Sequence, residues 1–202
     1  MEAVVRQVVL QRKPAPIDAI TSVLSTVSGE IDQHLGGTRL EAKSADHETM
    51  VKDYPLLPTR RRFFERALRS IDKAGKAGVL RTQLKIVHEA VKSVADEPVG
   101  HVIGGDFVFT SESASMQMSG VLLKEIDETI RGLQDGTRSG ELKSRIAAMI
   151  FLISQLPQDG VNDSGLRATA PWIADLLVED LKHDGAELRK QVPVLLDELV
   201  TD

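Results

Sequence analysis

An apolar stripe at helical spacing follows Pro16 and runs to the Gly36-Gly37 pair. Residues three and four positions apart share one face of a helix, and proline and glycine are common at helix starts and ends. The pattern therefore predicts a helix from Pro16 to about Leu35. Its stripe consists of Ile17, Ile20, Leu24, Val27 and Ile31.

The next segments predict a connector and two helices. Residues 38–53 are polar without a period and are typical of a connector, while Pro55 and Pro58 force the residues before them into extended backbone. A helix is predicted from Thr59, and a second one follows the breaks at Gly75 and Gly78. The first buries Phe63, Phe64, Ala67, Leu68 and Ile71, and the second carries the seam Leu80, Leu84, Val87, Val91 and Val94.

Two further helices are predicted beyond residue 110. Residues 98–110 combine glycine with β-branched residues and predict a loop with a short extended piece. The later helices end before Pro157, and the loop-like composition of 158–165 marks a candidate domain boundary. Their stripes are Leu122, Ile126, Ile130 and Leu133, and then Leu142, Ile146, Met149, Ile150 and Ile153.

The C-terminal segment predicts a helix, a turn, a short helix and another helix. Thr169 is placed to cap the first helix, Asp184-Gly185 reads as the turn, and Pro193 opens the last helix. Helices in this order begin a winged-helix domain, and its β-wing would follow residue 202. We therefore expect an all-α chain, with a helical bundle over 1–157 and an incomplete winged-helix-like unit over 166–202. Trp172, Ile173, Leu176, Leu177 and Leu181 should face inward.

Composition narrows the class of protein. The chain has 202 residues, 42% of them hydrophobic but only 3% aromatic, so leucine, valine, isoleucine and alanine supply the apolar volume. The absence of cysteine excludes disulfides, thiolate metal sites and a thiol nucleophile. The longest apolar run, 147–153, is far shorter than the roughly 20 residues that span a membrane. These features predict a cytoplasmic protein without membrane contact.

Positive charge is concentrated in one region of this acidic chain. From Arg60 to Lys92 there are ten Lys or Arg residues against three Asp or Glu, whereas the whole chain has 25 against 30. The remainder is strongly acidic. Such a concentration indicates that one face meets something negative, such as phosphates or an acidic partner.

The candidate contact residues within this region are Arg60, Arg61, Arg62 and Lys85. The three arginines fall in the first turn of a predicted helix, where cations oppose the helix dipole, so an anionic partner should compensate them. An acidic neighbouring subunit is one such partner, and a plain basic first turn is the alternative. Lys85 shares a stripe with Arg81, His88 and Lys92, and that stripe could equally be a solvated surface. His88, His101 and Asp106 match no metal-ligand spacing.

Five runs of the sequence are distinctive: YPLLPTRRRFFERALR, LRTQLKIVHEAVKSVADEP, GDFVF, SGVLLKEIDETIRGL and LRATAPWIADLLVEDL. They resemble the BREX phage-defence P-loop ATPases (the BrxC/PglY family), whose members are much longer AAA+-type proteins. The resemblance extends over nearly the entire chain. No GxxxxGK[ST] phosphate loop occurs here, so the chain is not expected to be an enzyme on its own.

The resemblance implies a lid and connector fragment of such an ATPase. Gly78-Val79-Leu80-Arg81 at a helix start is similar to the sensor-2 element of AAA+ lids, in which an arginine reaches the nucleotide's terminal phosphates. Val79, however, stands where that element often has a small acidic residue. The implied partners are the P-loop core and other BREX proteins, and ATP with magnesium would be bound by the parent protein and not by this chain. The alternatives are a plain helical adaptor and a nucleic-acid-binding module with a helix-turn-helix-like C-terminus, for which DNA contact stays open.

Overall fold

The computed structural model describes residues 17–72 and 79–201, with side chains from Thr82 onward in the second range. These residues confirm an all-α fold, because they contain ten α-helices, one 3-10 helix and no β-strand. A single antiparallel bridge joins His101 to Asp180. The α-helices are α1 Ile17–Thr26, α2 Ser28–Ile31, α3 His47–Asp53, α4 Pro58–Ile71, α5 Val79–Ser93, α6 Phe107–Met118, α7 Lys124–Gly132, α8 Arg138–Ser154, α9 Ala170–Leu177 and α10 Asp184–Thr201.

One hydrophobic core joins these helices. Leu152 of α8 and Leu176 of α9 are both fully buried in it, although the 158–165 loop separates them in sequence. The loop itself is held to the N-terminal part by a 2.8 Å hydrogen bond from the Arg39 amide to the Ser164 carbonyl. The predicted loop is therefore present, but it does not separate two hydrophobic cores.

Helix α4 follows the sequence pattern closely. Tyr54 and Leu57 have extended backbone, as expected of residues that precede proline, and Pro58 occupies the first turn of the helix. The Tyr54–Pro55 peptide bond is cis. The predicted apolar face is confirmed, since Phe63, Phe64, Ala67, Leu68 and Ile71 are all buried.

Three predictions about the chain before α7 are wrong in detail. The first helix ends at Thr26, and a one-turn helix and a series of turns replace its second half. The 38–53 connector contains the 3-10 helix Ser44–Asp46 and α3, whose Met50 is buried. Phe107 begins α6 instead of an extended piece. Tertiary burial stabilises helices that a short or polar sequence pattern does not reveal.

The C-terminal prediction of two helices after a turn is also wrong. Residues Asp184–Thr201 form one helix that contains Pro193, and Gly185 lies in its first turn. A Cβ atom there would clash with the Glu30 carboxylate as it is placed, so glycine permits this close approach of the Glu30 side chain. Without a second turn and a third helix, the winged-helix pattern has no counterpart in the described residues.

Candidate functional site

The basic stripe of α5 faces outward wherever its side chains are described. Lys85, His88 and Lys92 are exposed, and Lys85 lies 3.7 Å from the Glu89 carboxylate one turn later. Arg81 is the third residue of α5, but its side chain lies outside the described part of the chain. The stripe therefore remains a candidate surface for a negatively charged ligand.

Arg60 is placed differently from the sequence prediction. Its side chain is only 1% exposed. One guanidinium nitrogen, Nη1, donates to the carbonyl oxygens of Ile103 and Val178 at 2.8 and 3.0 Å, and Nη2 donates to the carbonyl of Asp175. Arg60 is thus enclosed by this chain and does not reach an external anion.

Two of the three carbonyls that accept from Arg60, those of Asp175 and Val178, lie at the C-terminal end of α9, and the third, that of Ile103, lies in the loop before α6. The last carbonyls of a helix lack intrahelical partners and carry partial negative charge, so a cation there stabilises the helix. Burial lowers the pKa of Arg60 to about 10, while the carboxylates of Asp175, Glu179 and Asp106 act against that decrease. The negative charge expected near the start of α4 is therefore supplied by carbonyls and carboxylates of this chain.

Arg61 and Arg62 also bind within the chain. Arg61 is 4% exposed and lies 3.6 Å from the fully buried Asp53 carboxylate. Arg62 donates to both oxygens of Asp46, at 3.0 and 2.8 Å. Burial would raise the pKa of Asp46, but these bonds from Arg62 outweigh it and lower that pKa. The sequence predicted a contact of these arginines with an external partner. In the structure, aspartates of the predicted connector fold back onto α4 and bind them instead.

A buried polar centre lies beside Arg60. Asp175 of α9 accepts the Leu35 amide at 2.9 Å and a guanidinium nitrogen of Arg189 at 3.2 Å. His34 is fully buried nearby, and neither of its ring nitrogens has a hydrogen-bond partner among the described residues. Burial, reinforced by the charges of Arg60 and Arg189, lowers the pKa of His34 to about 3.

We expect His34 to make the fold sensitive to mild acid. Its folded pKa lies below the unfolded value of 6.5, so the unfolded state binds the proton more strongly and stability falls as the pH decreases from 6.5 towards 3. His34→Leu should remove this loss. The variant's unfolding free energy minus that of the native sequence should be about 2–3 kcal/mol larger at about pH 4.5 than at about pH 7. Urea unfolding at both pH values measures this, and parallel pH dependences would contradict it.

A second cluster of charged side chains, Arg145, Asp106 and Glu179, links α8 to the loop before α6. Arg145 donates to both oxygens of Asp106, at 2.7 and 3.1 Å, and pairs with Glu179 at 3.0 Å. Burial opposes the charge of Arg145, but Asp106 and Glu179 outweigh that effect and raise its pKa, whereas burial raises the pKa of Glu179. A Cβ atom at Gly104 would lie 2.5 Å from Asp106, so glycine permits this close approach.

This cluster accounts for the position of the Asp106 carboxylate. Both of its carboxylate oxygens bind Arg145, and His88 lies on the exposed stripe of α5. Across the described ranges, no group of three His, Cys, Asp or Glu side chains is placed to hold a metal ion. Arg145 and Asp106 were not identified as a pair from the sequence, since they lie 39 residues apart and share no motif.

Comparisons with known proteins add no relative. No protein-family model matches the chain, and neither a curated protein nor a solved structure is similar to it at a significant level. Among the described helices, none is sufficiently long and apolar to cross a lipid bilayer.

Proposed function

We propose that this chain is a non-catalytic lid and connector fragment of an AAA+-type P-loop ATPase that serves BREX phage defence. The proposal rests on the resemblance of its long sequence runs to that family, and an all-α fold is compatible with a helical lid. In this function the chain would close over a nucleotide held by a P-loop core and transmit hydrolysis to other domains. ATP and magnesium would belong to that core.

The observation that carries the proposal is that two groups of basic side chains differ in their exposure. Arg60, Arg61 and Arg62 are bound inside the fold, whereas Lys85, His88 and Lys92 stay exposed. The surface stripe lies on α5, the helix whose first turn contains Arg81. Among the contact residues predicted from the sequence, this leaves those on α5 as the exposed ones that could meet phosphates.

Arg81 has the chemistry that the proposed role requires. A guanidinium is permanently charged and binds two phosphate oxygens at once, and the N-terminal turn of a helix carries partial positive charge of its own. A nucleotide placed before α5 would therefore meet both. Arg81 is the residue that we assign to nucleotide sensing, with Lys85 one turn further along the helix.

The nucleic-acid alternative is less favoured by the structure. A turn at 181–183 does separate α9 from α10, but the further break expected before Pro193 is absent, because Pro193 lies within α10. A plain helical adaptor stays compatible with the fold, and it differs from the lid in that Arg81 would not contact nucleotide.

The isolated chain should hydrolyse no ATP above background and should bind nucleotide at most weakly, because the phosphate-binding loop of these ATPases is absent from its sequence. Phosphate release and fluorescent-nucleotide binding measure both quantities. An Arg81→Ala sample is the control for contaminating enzymes. Turnover in the purified chain that this substitution abolishes would show that the chain itself is catalytic and that the fragment proposal is wrong.

A further inference from the structure

A groove of about 350 Å³ lies between the start of α8 and the middle of α10. Val194 and Leu195 form its apolar wall, and Arg138, Ser139, Lys190 and Gln191 line the remainder. Val194 is 56% exposed although it is a β-branched apolar residue, whereas Leu195 beside it is buried. The groove thus offers an apolar surface that this chain leaves in contact with water.

The charge at the groove is opposite to that of the whole protein. The chain has a formal net charge of −5, yet the two ionisable residues that line the groove, Arg138 and Lys190, are both cations. Lys190 forms no ion pair with any described residue. Arg138 lies 3.4 Å from Glu187, but these side chains are 80% and 45% exposed, so the pair is weak and can exchange. The first turn of the 17-residue α8 adds partial positive charge.

We propose that this groove binds an acidic amphipathic segment of a partner protein. An apolar side chain of that segment fills the space beside Val194 and Leu195, and a carboxylate next to it meets Lys190 and Arg138. Lys190 and Val194 are one helical turn apart, about 6 Å along the axis. The apolar side chain and the carboxylate of the partner are therefore also about one turn apart.

The charges decide between an acidic segment and other occupants. A basic segment would bring its cations towards Arg138 and Lys190, and like charges at an interface oppose association. A second copy of this chain would have to present its own acidic residues next to an exposed apolar side chain, which self-association measurements can detect. The proposal does not depend on the lid assignment, since no residue of α5 lines the groove.

The test uses the full chain labelled with nitrogen-15 and two blocked helix-forming peptides. Both peptides carry leucine every three to four residues, with glutamate at the other positions in one and lysine in the other. The glutamate peptide should shift the amide signals of the residues that line the groove, and the lysine peptide should not. Equal effects of the two peptides, or no shifts with the glutamate peptide, would overturn the proposal.

Two variants assign the binding to the groove. Val194→Asp should weaken binding of the glutamate peptide by about tenfold or more, since central apolar contacts dominate such interfaces. Lys190→Glu should weaken it also. Val200→Asp is the matched control, because Val200 lies on the same helix, is 89% exposed and does not line the groove. Unchanged binding to the Val194→Asp protein, or a dimer that this substitution dissociates without any peptide binding, would overturn the proposal.

Discussion

Arg60→Ala should lower the free energy of unfolding by about 3–5 kcal/mol, the range typical of a disrupted buried charged network. The guanidinium is enclosed and supplies hydrogen bonds to the carbonyls of Ile103, Asp175 and Val178. Its loss leaves those oxygens without their donor, leaves the Asp175 carboxylate with less positive charge around it and opens a cavity. Urea or thermal unfolding of the purified variant measures the change.

The matched control is Arg69→Ala on the same helix. Arg69 is exposed near the end of α4, so its removal should change stability by less than about 0.5 kcal/mol. A similar small effect at both positions would mean that Arg60 is not the enclosed donor described above. Arg60→Lys should recover only part of the loss, because an ammonium cannot reproduce the planar set of guanidinium donors.

If the proposed function is right, Arg81→Ala in the intact ATPase should cost about 2–4 kcal/mol of transition-state stabilisation for ATP hydrolysis, or roughly a hundredfold in kcat. A charge contact with the terminal phosphates is worth this much, whereas a surface arginine contributes little to folding. Steady-state hydrolysis and thermal unfolding, measured on the same preparations, separate the two effects.

Lys92→Ala provides the control for this experiment. Lys92 lies on the same stripe of α5 but three turns from Arg81, so its replacement should alter hydrolysis much less. If Arg81→Ala folds normally and hydrolyses ATP at the native rate, the stripe is a solvated surface and the adaptor alternative is favoured.

Local patterns were sufficient for most helices. The apolar positions of α4 recur at helical spacing, and every one of them is buried as predicted. The pattern failed where a helix was too short to show a periodic apolar stripe, as in α3, and where proline was expected to begin a helix. Pro193 instead lies within α10, whose other residues pack against α8 and α9 and keep the helix continuous.

The candidate site was only partly accessible to sequence reasoning. The concentration of cations between Arg60 and Lys92 was evident, and so was the need for negative charge near the start of α4. The sequence did not show where that negative charge would lie. Arg60 meets a carbonyl 115 residues away, and Arg62 meets a carboxylate 16 residues away in a segment that had no predicted structure.

The sequence by itself determined the all-α class, the principal helices and the apolar face of α4, because helical periodicity is a property of neighbouring residues. Other faces were less exact, since Ile126 of a predicted stripe is 39% exposed and the buried apolar residues described for α5 are Ile86, Val87 and Ala90. Only the tertiary structure decided which cations serve the fold and which remain on the surface. That decision depends on contacts between distant segments, as when the end of α9 places its carbonyls over Arg60. A buried guanidinium and an exposed one can occupy adjacent turns of similar sequence, since burial is determined by the elements that pack over each of them.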